Sequence, residues 1–288
     1  MAAAVCSPEP SSEVALTVGG NDCLTISERP KPLWSWPFPA EVPRHVTVSA
    51  PKRVIVVGDP HGCFDEFQDL MLKCAFDPGA GDAVVIVGDL VNKGPKSVEM
   101  VRAARDTEGI WSLRGNHEDN ILRDYYKWKR EGIEPREVWL KQLEEPDVTY
   151  LERLPYTCAL PQHNALVVHA GLVPGTRLEE QLDGDMVRMR NLALLRETDE
   201  AGNPLVEWVA SERDGVGVPW ASMWRGPHVF FGHDAIRKLQ QYENATGLDT
   251  GCCYGFQLTA AILDPENPGK QELIQVPARA EYEKPSKK

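Results

Sequence analysis

Hydrophobic positions along this chain gather in short β-branched runs, each stopping at a polar loop. Arg53-Val-Ile-Val-Val57 and Ala83-Val-Val-Ile-Val87 are two such runs, both ending in Gly-Asp. The span from Asp65 to Cys74 between them has the length and mixed polarity of a helix, so the pattern reads strand, helix, strand. Ile110 to Leu113, Ala165 to Val168 and Val229 to Phe231 are further runs, and Leu258 to Leu263 predicts another strand. Polar motifs follow five of these runs, which places the chemistry along one rim of a sheet, where α/β enzymes build their sites. Asp119 to Leu154, rich in Lys, Glu, Trp and Leu, predicts helices capping that sheet.

The ends have a different texture. Residues 1–50 carry scattered Ser and Pro and the stretch Lys31-Pro-Leu-Trp-Ser-Trp-Pro-Phe-Pro39, which suits neither a helix nor a central strand. An arm, partly disordered, is expected there, with Trp34 and Trp36 pinning it to the domain surface in preference to serving as a Pro-rich partner peptide. Residues 51–276 form the expected catalytic domain, and the charged, Pro-containing 277–288 a disordered tail. Arg177 to Pro219 is a long polar insertion containing Gly184, Gly202, Gly215 and Gly217. It reads equally as a lid or as a tolerated surface excursion.

Composition narrows the function classes. At 288 residues, with 42% hydrophobic and 26% charged positions, the chain can bury a full core as one large α/β domain. A net charge of -12 argues against a broad basic face for nucleic acid, so an anionic substrate must be attracted locally. The seven cysteines form no CxxC pair, and Cys252 and Cys253 are adjacent, which gives neither a disulfide framework nor a zinc-ribbon spacing. A reducing compartment follows. Met1 to Pro10 lacks a basic start followed by an apolar stretch, and no apolar run approaches membrane-spanning length. Cytoplasm or nucleus is the expected location.

The motifs carry the chemistry. In order they are Gly58-Asp59-Pro60-His61-Gly62, Gly88-Asp89-Leu90-Val91-Asn92-Lys93-Gly94-Pro95, Arg114-Gly115-Asn116-His117-Glu118, His169-Ala170-Gly171 and Gly232-His233-Asp234. A two-metal hydrolase needs a carboxylate that can bridge cations about 3.5–4 Å apart, with His or oxygen ligands on the remaining faces and a hydroxide between. Asp89 is the bridging candidate. Asp59 and His61 alternate on one loop and could reach the first metal, with Asn116, His169 and His233 completing the second. Singly, each motif is weak: a Gly-Asp after a strand is usually a turn, and His169 or His233 alone would be a satisfied core histidine. Five in order reverse that balance. His45, His163 and His228 have no comparable setting. This mixed N/O ligand set accepts Mn, Fe, Zn, Co or Mg without selecting among them.

The ordered set resembles the phosphoprotein phosphatase superfamily of metallophosphoesterases from about Arg53 to Leu263. That resemblance implies an α/β fold, a calcineurin-like β-sandwich flanked by helices, with two divalent metals held by Asp59, His61, Asp89, Asn116, His169 and His233. It also implies that His117, beside the Asn ligand, is the general acid. Protein serine/threonine phosphatases pair that His with an Asp followed by a phosphate-binding Arg, and here the positions hold Asn92 and Lys93. Asn92 can accept a hydrogen bond from His117 but adds no charge, so it favours the imidazolium less. Lys93 offers a point charge where Arg gives a two-pronged contact.

The Asn-Lys-Gly-Pro variant, together with Gly247-Leu-Asp-Thr-Gly-Cys252, Tyr254-Gly, Arg190-Asn191 and Phe231-Gly-His-Asp-Ala235, is similar to the ApaH-like branch. His61 stands where the bacterial enzymes carry Gln. The branch implies cleavage of phosphoanhydride bonds in dinucleoside polyphosphates, RNA caps or polyphosphate. Lys93 and Arg114 are expected to neutralise the attacked phosphate, with Arg190 and Arg225 as further phosphate contacts or surface ion pairs. Trp220 and Trp224 are expected in the core or stacked on a base. A protein phosphatase and an inactive scaffold are the alternatives, the latter disfavoured by the intact ligand set.

Overall fold

The computed structural model describes residues 23–24, 44–50, 52–198 and 204–285. Its elements run β1 (Cys23–Leu24), β2 (His45–Thr47), β3 (Val54–Val57), α1 (Phe64–Lys73), β4 (Ala83–Ile86), α2 (Ser97–Asp106), β5 (Ile110–Ser112), α3 (Asn116–Glu131) and α4 (Glu145–Glu152). Then come β6 (Thr157–Leu160), β7 (Ala165–Val168), α5 (Asp183–Arg188), β8 (Asn191–Thr198), β9 (Pro204–Ser211), β10 (Val218–Pro219) and α6 (Trp220–Met223). The chain closes with β11 (His228–Phe231), β12 (Gln240–Tyr242), β13 (Ala245–Gly247), β14 (Gln257–Leu263) and β15 (Gln271–Pro277).

Two sheets face each other. One has the order β15-β14-β3-β4-β5, parallel from β3 to β5 with β14 antiparallel to β3; the other has the order β12-β13-β11-β7-β6-β2. Strands buried on both faces need apolar residues at every position, which is why β3 and β4 read as unbroken Val-Ile runs. The period-2 alternation then sorts those side chains. Val54, Val56, Val85 and Val87 point between the sheets to meet Val167, Phe230, Leu248 and Ala261. Ile55, Val57, Val84 and Ile86 point the other way, under Phe67 and Leu70 of α1, Met100 and Val101 of α2, Ile121 and Leu122 of α3 and Leu151 of α4. Val168, Val229 and Phe231 cover the outer face of the second sheet, packed on Met186, Val187 and Trp220. The result is a β-sandwich with helices on both flanks, the architecture the motifs implied.

Several boundaries differ from expectation. Strand β2 lies inside the expected arm, pairs parallel with β6, and leads into Val48 and Ala50, which are buried between the sheets. Trp34 and Trp36 lie outside the described residues. The stretch from Arg177 is no bare excursion: it holds a 3-10 turn (Leu178–Glu180), α5 and the β8–β9 hairpin.

The expected disordered tail is instead strapped down over residues 278–283. Tyr282 and Glu283 donate backbone N–H groups to Cys253 O, and Arg279 N and Tyr282 Oη donate to Glu66 Oε1. Glu66 on α1 is buried and needs donors, and the tail supplies them. Among the described residues no helix is long and apolar enough to cross a membrane.

Candidate metal centre

The five motifs converge where β3, β4, β5, β7 and β11 end. The loop after β4 is held open by Glu118, the third residue of α3. Its carboxylate accepts from Gly115 N at 2.7 Å, Asp89 N at 3.0 Å and Leu90 N at 2.8 Å. This is the Glu half of a capping box, Gly115 having no side chain to return the bond, widened into a clamp: one buried carboxylate satisfies the start of α3 and fixes the Asp89 turn. Several polar side chains stand on backbone that L-residues rarely adopt, with positive φ at His61, Asp89, Asn92, Lys93 and His233. Such local strain is tolerated where surrounding contacts over-determine it. Gly115 and Gly232 permit the close approach, since a Cβ on either would overlap the carboxylate of Asp89 or Asp59 respectively.

Hydrogen bonds to backbone carbonyls fix each imidazole. His61 Nδ1 donates to Val91 O at 3.0 Å, His169 Nδ1 to Val87 O at 3.2 Å, and His233 Nε2 to Arg188 O at 3.0 Å. The opposite ring nitrogens then carry lone pairs that point inward. Burial lowers the pKa of all three, aided by Lys93 at His61 and Arg190 at His233, so they are neutral and ligand-ready.

What those lone pairs face decides the chemistry. Asn116 Oδ1 lies 3.2 Å from His169 Nε2 and 2.9 Å from His233 Nδ1. Three acceptors meeting without a proton repel one another, and a cation removes the conflict. Asp89 stands between two such groups, His61 with His117 on one side and His169 with His233 on the other. Its Oδ2 is 3.4 Å from His61 Nε2 and its Oδ1 3.5 Å from His169 Nε2. Burial works against the Asp89 carboxylate, but His169, His117 and His61, which become charged in the acid range where a carboxylate titrates, hold it together with Lys93 far below the usual range. Asp59 keeps Oδ2 on His233 N at 2.9 Å, while its buried Oδ1 has no hydrogen-bond partner. Burial, Asp249 and Asp89 push Asp59 well up, and burial raises Asp249 to about 6. Such carboxylate crowding calls for positive charge. The residues present therefore fit a pair of divalent ions sharing Asp89.

Residues 52–251 match the calcineurin-like phosphoesterase family. The chain belongs to that family. It is a metallophosphoesterase, a hydrolase. It is 36% identical over 259 residues to the symmetrical bis(5'-nucleosyl)-tetraphosphatase of Aromatoleum aromaticum, covering 73% of this chain and 93% of that protein. It is 27% identical over 238 residues to serine/threonine-protein phosphatase 1 of Salmonella typhimurium, covering 78% and 98%. A crystal structure whose protein is provisionally assigned as a diadenosine tetraphosphatase aligns with a TM-score of 0.67 at 38% identity, covering 82% of this chain and 98% of that one.

Around these candidate ligands of the metallophosphoesterase, the structure brings some of the expected phosphate contacts together and not others. Lys93 is at the centre, donating to His61 Nε2 at 2.7 Å. Asn92 Nδ2 is 2.9 Å from His117 Nδ1. This differs from the acceptor role expected of Asn92, whose Oδ1 is left buried without a partner. Rotating the amide by 180° would put that oxygen on the imidazole, so Asn92 can serve His117 in either protonation state. Burial lowers His117 to about 4, against the pull of Asp89.

Arg114 corrects the sequence reading. Its fully buried guanidinium donates to Leu151 O, Glu152 O and Leu154 O and pairs with Asp119, so it caps the C-terminal carbonyls of α4 and does not face the rim. Arg225 is exposed, with its guanidinium on Ser222 O and Trp224 O of its own turn. Arg190 does reach the site, donating to His233 O at 3.4 Å and to Glu212 O, with Asp234 at 3.9 Å. Trp220 and Trp224 are core residues, donating to Ala170 O and Pro227 O.

Three residues were missed. Glu118 was quoted in its motif without a role, although a Glu three places into a helix is a capping-box signal. Asp249, buried beside Asp59 and Lys93, sits in a motif read only for its resemblance. Arg188, two places before Arg190, has a buried Nε without a hydrogen-bond partner and a charge felt by His117.

Removing Glu118 should be costly. Glu118→Ala strands three buried N–H groups, which at about 1 kcal/mol or more each predicts a loss of about 3 kcal/mol. For a domain of this size, that lowers the midpoint of thermal unfolding by about 6–12 °C. A melting curve within a degree or two of wild type would show that the clamp is dispensable.

Proposed function

We propose that this chain hydrolyses phosphoanhydride bonds of dinucleoside polyphosphates, with Asp59, His61, Asp89, Asn116, His169 and His233 holding two divalent ions. The ions would supply Lewis acidity and an activated water. The observation that carries the substrate class is the pair Asn92 and Lys93. A neutral amide beside His117 gives the imidazolium no fixed negative charge, which suits a leaving group that is already stable, as a nucleotide is and a serine alkoxide is not. Lys93, buried among Asp89, Asp249 and His61, offers one concentrated charge to a phosphate oxygen where a forked guanidinium would grip a terminal phosphomonoester. Relatives named bis(5'-nucleosyl)-tetraphosphatase support the same class.

The protein's own residues divide the work. Lys93 and Arg188 would neutralise the polyphosphate, Arg190 would brace His233 from behind, and His117 Nε2 would hand a proton to the departing phosphate oxygen. Asn92 positions the opposite ring nitrogen. Related phosphatases of both symmetrical and asymmetrical cleavage type are similar to this chain, so the attacked phosphorus is read from products.

The test is hydrolysis by the metal-supplemented protein of four substrates, namely diadenosine tetraphosphate, capped RNA, polyphosphate and a phosphopeptide, with chromatographic products. The dinucleotide is expected to have the highest kcat/KM. Turnover of the phosphopeptide alone would make this a protein phosphatase.

A further inference from the structure

From the charged centre outward, cations and aromatic rings follow one another. Lys93 Nζ, on His61 Nε2, lies 5.1 Å from the centre of the Tyr254 ring. Tyr254 and Phe256 flank Gly251: a Cβ placed there would lie 3.5 Å from Tyr254 Cδ2, 3.1 Å from Phe256 Cδ2 and 3.9 Å from Ala235 Cβ. Gly251 is anchored inward by its N–H to Asp249 Oδ1 at 3.1 Å. Lys238 Nζ sits 3.8 Å over the Phe256 ring. The loop that presents it has positive φ at both His233 and Lys238 and pushes Ile236 outward.

Phe256 is 43% exposed and Ile236 68%, two of eight large apolar side chains exposed among the described residues, and Phe256 carries the Lys238 ammonium over its ring. Core packing does not explain them, whereas Trp220 and Trp224, the aromatics first considered for stacking, are consumed by the core. The pairing of a flat aromatic face with a cation, near the residues proposed to bind phosphate, matches one chemistry, a nucleotide whose base stacks while its phosphates meet lysine.

We infer that Phe256, with Lys238 over its ring, is the platform for a nucleobase of the bound substrate, with Tyr254 and Lys93 linking it to the attacked phosphates. This deepens the dinucleotide reading and rests on it. Lys238 now covers the ring, but an exposed cation–π contact is the weaker of the two interactions. A base therefore displaces the ammonium, which is then free to meet the polyphosphate. Gly251 leaves the space between the two rings open, and its φ of +70° makes that geometry unfavourable for any residue with a side chain.

The test compares Phe256→Ala and Phe256→Tyr with wild type on two substrates, diadenosine tetraphosphate and base-free tripolyphosphate. For Phe256→Ala, KM for the dinucleotide should rise about tenfold with kcat retained, the loss of one stacked base. Tripolyphosphate kinetics should not change, and Phe256→Tyr should restore the dinucleotide KM. An equal change on both substrates, or none, overturns the platform.

If wild type does not cleave the dinucleotide, the functional reading fails by itself, and the platform is judged by calorimetric binding of AMP against ribose 5-phosphate. Tighter AMP binding that disappears in Phe256→Ala supports it. Equal binding of the two ligands, or an AMP preference that survives in Phe256→Ala, overturns it.

Discussion

Asp89→Asn is expected to lower turnover on every substrate by on the order of a thousandfold or more, while leaving the fold intact. The side chain is nearly isosteric, and an amide oxygen can still accept from His117 N, as Asp89 Oδ1 does at 3.0 Å. What it cannot do is supply negative charge to both neighbouring groups at once. Asp89 is the one residue shared by the clusters with His61 and with His169 and His233. A neutral bridge would weaken both cation sites and the activation of water between them, and each lost factor of ten in rate is about 1.4 kcal/mol of transition-state stabilisation. Circular dichroism and thermal melting separate this from unfolding: a folded, inactive variant is the expected outcome. A variant with near-normal kcat would remove Asp89 from the bridging position.

The second large effect is at His117. His117→Asn should cost about a hundred- to ten-thousandfold in kcat, the usual range for a general acid, but unevenly across leaving groups. A nucleoside diphosphate leaves without much help, whereas an alkoxide needs the proton. The loss should therefore grow steadily as the leaving-group pKa rises in a series of aryl and alkyl phosphate esters, with the anhydride substrates at the shallow end. Metal content should not change, because His117 is tied to Asn92 and to Asp89 through its backbone, while Asn116 supplies the inward-facing oxygen. A loss independent of leaving group would assign His117 to positioning and leave proton delivery to another group.

Much of this architecture is legible in the sequence because burial on both faces leaves a simple signature. The runs ending at Val57 and Val87 are apolar at every position since β3 and β4 are sandwiched between the second sheet and the helices, and each run ends where the backbone must turn toward the centre. The directions of long polar side chains are not legible in that way. Arg114 follows β5 as closely as a phosphate contact would, yet the carbonyls at the end of α4 lie nearer, and only the packing of α4 against α3 reveals that. The tail reads as disordered from its charge and proline, but Tyr282 and Arg279 meet the buried acceptor Glu66 on α1, over 200 residues earlier in the chain. Strand β2 is too short to give a period, and its pairing with β6 becomes visible only once that sheet exists.

Metal stoichiometry set against activity tests the two-ion centre most directly. Chelator-stripped protein would be titrated with a divalent ion, bound metal counted by elemental mass spectrometry, and hydrolysis of diadenosine tetraphosphate measured at each point. Two ions per chain are expected, with full activity only when both are bound. Full activity in the stripped protein, or at one bound ion with no second uptake, would contradict a two-ion centre.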